Sequence, residues 1–264
     1  MQLLPIEIIK INQSKIDKID RILKAVLRLV IFSRYHKADD VLDIYLNSLI
    51  NIKQLVALKN AQMEAQNEEE AQEYLTNLKA SLEFITDEIN DQIDFENEIQ
   101  LFQLLRLISP ETNAIHPNKY RQTEVIVGQH SCPQPNVIPS LMSELFYNIN
   151  TISNPIIRSI YLHHEMIRIH PFADGNGRVT RIAKNWMLMF ELYPPIFIEE
   201  ITQKKDYINA LSNSFKALDK EPTLWNDHTN LFFEQQLDIL LTSTSLLLES
   251  IDKIGLHRIT KKNN

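Results

Sequence analysis

Apolar residues recur three or four positions apart along most of this chain, the period of a helix with one buried face. Ile16, Ile19, Leu23, Val26 and Val30 make the first such stripe, with Ser14 placed to cap it. A polar, acidic stretch from Gln62 to Gln72 still favours helix formers, and Tyr74, Leu75, Leu78, Leu82 and Ile85 then form a second stripe. Ile156, Ile160 and Ile167 make a third, opened by Ser153, Asn154 and Pro155, whose fixed φ suits a first helical turn. A further helix is expected from Arg178 to Leu192, with Arg178, Arg181 and Asn185 on one face and Ile182, Trp186, Met189 and Phe190 on others. Ile208, Leu211, Phe215 and Leu218 share a face before Pro222 interrupts, and residues 223–254 read as one long final helix. With four glycines in the whole chain there are few places for multi-strand turns, so the expected class is mostly α.

Chemistry concentrates between the third and fourth stripes. Two of the four glycines lie in the run HPFADGNGRVTR, residues 170–181, where Gly175 and Gly177 bracket Asn176 just before helical spacing resumes. Glycine lets the backbone turn tightly and aim several N–H groups at one anion, at the positive end of the helix that follows. Arg178 and Arg181 project near the same turn. A triphosphate carries about four negative charges, and a site for it needs a helix N-terminus, arginine forks and usually a magnesium ion held by one or two carboxylates. Asp174 is the only carboxylate inside the loop. His170 falls at the end of the preceding helix; an imidazole of ordinary pKa, about 6.5, accepts a proton from an attacking hydroxyl at neutral pH, a role worth roughly 10²- to 10⁴-fold in rate. Phe172, set among polar residues, is expected to pack into the core and pin the loop.

This run matches the pattern HxFx[D/E]GNGRxxR at every specified position, and the chain thereby resembles the Fic domains of the Fic/Doc family. Tyr120 and Arg121, the apolar Val125-Ile126-Val127, the run from Cys132 to Pro139 with Met142, and Tyr193-Pro194-Pro195 have similar spacing. The resemblance implies a Fic-type helical bundle with a small β-hairpin flap over residues 98–215, a helical region at 1–97 and a helical extension at 216–264. It implies an adenylyltransferase that moves AMP from ATP to a Ser, Thr or Tyr hydroxyl of a target protein. His170 is then the base and Asp174 the Mg2+ ligand. Gly175, Asn176 and Gly177 form the anion hole, Arg178 and Arg181 bind the outer phosphates, and Tyr207 lies near the nucleotide base. The apolar hairpin at 122–134 is the flap that receives the target by strand addition.

Many Fic proteins also carry an inhibitory helix with the pattern [S/T]xxxE[G/N], whose glutamate pairs with the second motif arginine. Asn60 to Ala65 lies at the corresponding place and supplies Glu64, but departs from the pattern on both sides of it, which implies weak or absent inhibition. Glu64 reads equally well as part of a solvated acidic helix with Glu68, Glu69 and Glu70, and Glu249 in the final helix is a second candidate. Two other functions stay in view: the same site moving a different phosphate-containing group or removing AMP, and an interaction module whose nucleotide site is regulatory. The GNG loop argues against the kinase variant, which resembles GNK.

Composition narrows the class without naming it. At 264 residues and 44% hydrophobic, the chain is long enough to bury a full core. A formal charge of −7 with no long basic run argues against nucleic acid or anionic membrane as partner. No apolar run is long enough to span a bilayer, and the single cysteine, Cys132, fits a reducing compartment, so the cytoplasm is expected. Homo-oligomerisation is left open. His164-Glu165 superficially resembles the zinc motif HExxH, yet the next histidine is His170 rather than a residue at i+4. His163 and His164 are therefore expected to pack in the core or to support other side chains.

Overall fold

The computed structural model describes residues 1–35, 65–198 and 201–262. Within them the elements run α1 (Gln13–Tyr35), α2 (Glu68–Asn90), α3 (Glu98–Ile108), α4 (Pro110–Ile115), β1 (Ile126–Val127), β2 (His130–Ser131), α5 (Ile138–Thr151), α6 (Pro155–Ile169), α7 (Asn176–Phe190), α8 (Ile201–Leu218) and α9 (Asp227–Lys262). The mostly helical class with one small hairpin is as the sequence indicated. Glu64, the expected inhibitory residue, lies outside the described residues.

Helix starts follow side chains that satisfy the first free N–H groups. Asn154 accepts from Ile157 N–H at 3.0 Å, and Pro155 occupies the first turn of α6. Asn67 caps α2 and Asn97 forms a capping box with Gln100 on α3. At α1 the cap is Asn12 and not Ser14: Asn12 Oδ1 accepts from Lys15 N–H at 3.2 Å. The correction moves the start only slightly, and the stripe Ile16, Ile19, Leu23, Val26 and Val30 is buried as expected.

Helices α6 and α7 pack along each other at the centre. Helix α5 covers α6, α2 and α3 cover α7, and α9 lies against both α1 and α8. Nearly every residue of α6 is buried, including His163, His164, Glu165 and Arg168, so its polar groups must be paired inside. His164 bonds the Glu165 carboxylate at 2.7 Å and Ser214 Oγ at 2.8 Å, and Glu165 also accepts from Leu4 N–H at 3.2 Å. Tyr161 donates its hydroxyl to Leu4 O at 2.8 Å. The chain's first residues are thus held against α6 by its buried polar groups.

Two sequence readings change here. Leu211, Phe215 and Leu218 are buried on α8, but Ile208 is 50% exposed. Helix α7 starts at Asn176, earlier than Arg178, which brings Asn176 and Gly177 into its first turn. That start places their N–H groups among the unpaired donors of a helix N-terminus.

Candidate active site

His170 terminates α6 in the left-handed conformation, φ 53, and donates its N–H to Met166 O at 3.0 Å. A non-glycine residue there turns the chain sharply and needs the surroundings to hold it. Arg121 supplies that hold. It is fully buried, with Nε donating to His170 O at 2.7 Å, Nη1 to Thr123 O at 2.6 Å and Nη2 to Pro133 O at 2.6 Å. Its own N–H reaches Pro171 O at 2.9 Å. One guanidinium therefore joins the end of α6 to both shoulders of the hairpin.

The loop after His170 is stapled from within. Asn176 Oδ1 accepts from Phe172 N–H and Nδ2 donates to Phe172 O, both at 2.9 Å, while the Phe172 ring is buried against Phe102 and Tyr120. Asn176 thus shapes the turn with its side chain, leaving only its backbone N–H for an anion. Gly175 sits at φ 72, where a Cβ would lie 2.5 Å from Ser109 Oγ, so both conformation and space require glycine. At Gly177 a Cβ would come within 3.1 Å of Arg181 Nη1, which puts the Arg181 guanidinium directly over the turn.

Arg178 is differently engaged. Its guanidinium lies 4.4 Å from the centroid of the Tyr74 ring of α2, donates to Glu111 Oε1 at 2.8 Å, and approaches Asp174 Oδ2 at 3.6 Å. Its side chain is 10% exposed. Asp174 is the opposite case: its side chain is 77% exposed, with Oδ1 accepting from Gly175 N–H at 2.7 Å. Among the described residues no group of three or more His, Cys, Asp or Glu side chains is arranged to hold a metal ion. A lone solvent-facing carboxylate beside a phosphate-sized helix terminus fits Mg2+, which keeps several waters and shares its remaining positions with substrate phosphates.

The His170 ring is partly enclosed, with Nδ1 buried and lacking a hydrogen bond of normal geometry. Burial lowers its pKa to about 4, assisted by nearby Arg121 and His130 and opposed by the Ile167 carbonyl and Asp174. The imidazole is accordingly neutral at pH 7.

His163 and His164 are core residues. Desolvation, with Lys184 and Arg181 close by, holds His163 well below the ordinary histidine range. Its Nε2 bonds the Tyr207 hydroxyl at 2.8 Å, and the Tyr207 ring packs on Phe232. Tyr207 is only 8% exposed. Its hydroxyl and most of its ring are thus engaged by α6 and α9. Asn185 is likewise diverted from the arginine face, exchanging two hydrogen bonds with the Ile196 backbone at 3.1 and 2.8 Å. Glu249 is exposed on α9 and pairs with no described residue. Arg121 was visible in the sequence only as part of a spaced pair with Tyr120; nothing in its local pattern announced a buried hub.

The hairpin is two residues long on each side, antiparallel, with Ile126 opposite Ser131 and Val127 opposite His130. Gly128, at φ 63, takes the positive-φ place in its turn, and Ile126 is exposed. No described helix is long and apolar enough to cross a membrane.

Residues 93–188 match the family described as Fic/DOC. The chain is 30% identical over 134 residues to the protein adenylyltransferase Fic of Culex quinquefasciatus, covering 49% of this chain and 27% of that protein. It is 33% identical over 111 residues to the protein of the same name from Drosophila persimilis, covering 40% and 22%. The chain thus spans about a quarter of the length of these curated relatives. A Fic domain containing signaling protein from Bacteroides thetaiotaomicron superposes with a TM-score of 0.65 at 22% identity, covering 87% of this chain and 97% of that one. A Fic family protein from Desulfovibrio desulfuricans gives 0.63 at 20% identity, covering 95% and 77%. At these identities the solved structures speak for the fold.

Proposed function

We propose, starting from a chain that carries a Fic domain over residues 93–188, that it transfers AMP from ATP to a hydroxyl side chain of a target protein. The observation that carries the reading is the neutral His170 ring standing at the edge of a glycine-bracketed helix N-terminus, with Arg181 lying over that turn. Backbone N–H groups of Asn176 and Gly177 and the N-terminal charge of α7 supply an anion site, which the Gly175 N–H joins once it leaves Asp174 Oδ1.

In the proposed reaction a target hydroxyl attacks the α-phosphorus in line. The bond from that phosphorus to the bridging oxygen of the β-phosphate breaks, pyrophosphate leaves, and the hydroxyl proton passes to His170. The buried Nδ1 is the nitrogen that would keep its proton, leaving the Nε2 lone pair to accept it. Asp174 would hold Mg2+, whose charge offsets that of the polyphosphate. Arg181 and Arg178 bind the outer phosphates, Arg178 exchanging its contact with Glu111 for a phosphate oxygen. The two arginine forks and the helix terminus orient the nucleotide, so that attack is directed at one phosphorus.

The hairpin presents the target. Its strands are too short to select a sequence by side-chain pockets along a long edge, so main-chain pairing supplies most of the hold, and target identity rests on surfaces beyond residues 122–134. The test is the mass of the product: a target mixture incubated with ATP and magnesium gains one AMP per modified hydroxyl, and His170→Ala abolishes the gain. An unmodified mixture with wild-type chain that demonstrably binds ATP argues instead for a nucleotide-regulated binding module.

A further inference from the structure

His130, on β2 of the hairpin, has both ring nitrogens against acceptors. Nδ1 meets the Asp219 carboxylate at 2.9 and 3.1 Å, and Nε2 meets the Arg168 carbonyl oxygen at 2.9 Å. A neutral imidazole has one N–H and one lone pair, so in either tautomer one nitrogen would turn a lone pair toward an oxygen that has none to give. Only the doubly protonated ring satisfies both contacts. The side chain is almost wholly buried, where a lost hydrogen bond is not replaced by water.

The three partners sit on three elements. Asp219 immediately follows α8, Arg168 lies in the last turn of α6 just before His170, and His130 is the hairpin's own residue. Besides Asp219, the ionisable groups facing the ring are His164 and His170 of α6, while the Phe215 ring of α8 packs on it at 5.1 Å. Gly128 at the hairpin turn also faces Ser212 Oγ of α8. The hairpin therefore rests on α8, and Asp219–His130 is the one charged link between them among the described residues.

We infer that His130 is a proton-dependent anchor of the hairpin: its doubly protonated ring ties β2 to the end of α8 and to the last turn of α6, beside the His170 base. When the ring loses a proton, one contact becomes repulsive and the hairpin is released from α8. The anchor is intact while the ring carries both protons and lost once it carries one. Its consequence for transfer rests on the adenylyl-transfer reading above; the anchor itself does not. His130 is in that reading a positioning residue, acting on the target-receiving hairpin and on the α6 terminus that carries His170.

The substitution Asp219→Asn separates this from a merely structural contact. Asparagine offers an N–H to Nδ1 while a neutral ring still donates Nε2–H to the Arg168 carbonyl, so both bonds form without charge and docking no longer depends on ring protonation. Cys132, the chain's single cysteine, is buried next to this strand and reports release through its rate of labelling by a maleimide. Below the thiol's own titration, the wild-type rate divided by the Asp219→Asn rate at the same pH cancels the rise in thiolate. The ring is followed by NMR in the same samples.

The expected result is a ratio that climbs by about fivefold or more with a midpoint matching the His130 ring titration. Transfer by wild type would fall over the same pH interval and transfer by Asp219→Asn would not. A ratio flat through the ring titration overturns the anchor, as does an equal labelling step in the variant's own pH profile. If the labelling step appears while neither protein transfers AMP, the anchor stands and the functional reading fails.

Discussion

The Arg121 guanidinium donates to the backbone carbonyl of His170 at 2.7 Å, tying a buried cation on the strand side of the fold to the residue that ends α6. The same side chain bonds Thr123 O and Pro133 O, so it links the hairpin to His170. Neither the left-handed backbone of His170 nor the entry and exit of the hairpin has another fixed partner of this kind among the described hydrogen bonds.

Arg121→Lys should therefore act twice. An ammonium on a flexible stem lacks the fork needed for three carbonyls, and each buried acceptor left alone costs about 1–3 kcal/mol. A loss of roughly 3 kcal/mol is expected, seen as a Tm lowered by several degrees in a thermal melt. Transfer should fall more than stability accounts for, by about 10²-fold in kcat with a smaller change in KM for ATP, because a base displaced by an ångström loses its alignment. Equal changes in kcat and KM would place Arg121 in nucleotide binding instead.

The pH profile follows from the direction of the His170 shift. Burial lowers its pKa from the ordinary value to about 4, so between that value and the unfolded one the unfolded chain binds more protons and stability rises with pH. This part of the stability is fully present above the unfolded histidine pKa of about 6.5 and is lost as pH falls toward 4. In the proposed reaction the imidazole is able to accept a proton over the same range. The acid limb of kcat/KM assigned to this group should lie below pH 5, and a limb centred near 6.5 would show that the ring is not enclosed in the working protein.

Asp174 offers a clean separation of chemistry from folding. Its side chain is 77% exposed and it contacts the Gly175 N–H and, at 3.6 Å, Arg178, so Asp174→Ala should change stability by no more than about 0.5 kcal/mol. The KM for magnesium ATP should rise, and excess magnesium should recover part of the loss. Unchanged nucleotide kinetics in a normally folded variant would remove Asp174 from the metal site.

How much of this was legible in the sequence depends on how local each signal is. The stripe of α1, the Asn154-Pro155 start of α6 and the glycine-bracketed turn are short-range patterns, and each is found where the spacing placed it. The family resemblance came from a run of contiguous residues, and residues 93–188 match the Fic/DOC family model. What was not legible depends on partners distant in the chain. The three carbonyls around the Arg121 guanidinium, the pairing of His130 with Asp219, and the burial of Tyr207 under α9 arise from helix packing that no local period encodes. Asn185 shows the same limit: its helical phase put it with the arginines, but α7 turns that side chain onto the Ile196 backbone.

The central claim, that His170 directs attack of a hydroxyl on the α-phosphate, is tested most directly by label retention. Wild-type chain and His170→Ala are incubated with magnesium and ATP carrying label at the α- or the γ-phosphate, with a target mixture. The account predicts protein-bound label from the α position alone, and none with His170→Ala in either case. Label from the γ position, or α label undiminished in the variant, contradicts it.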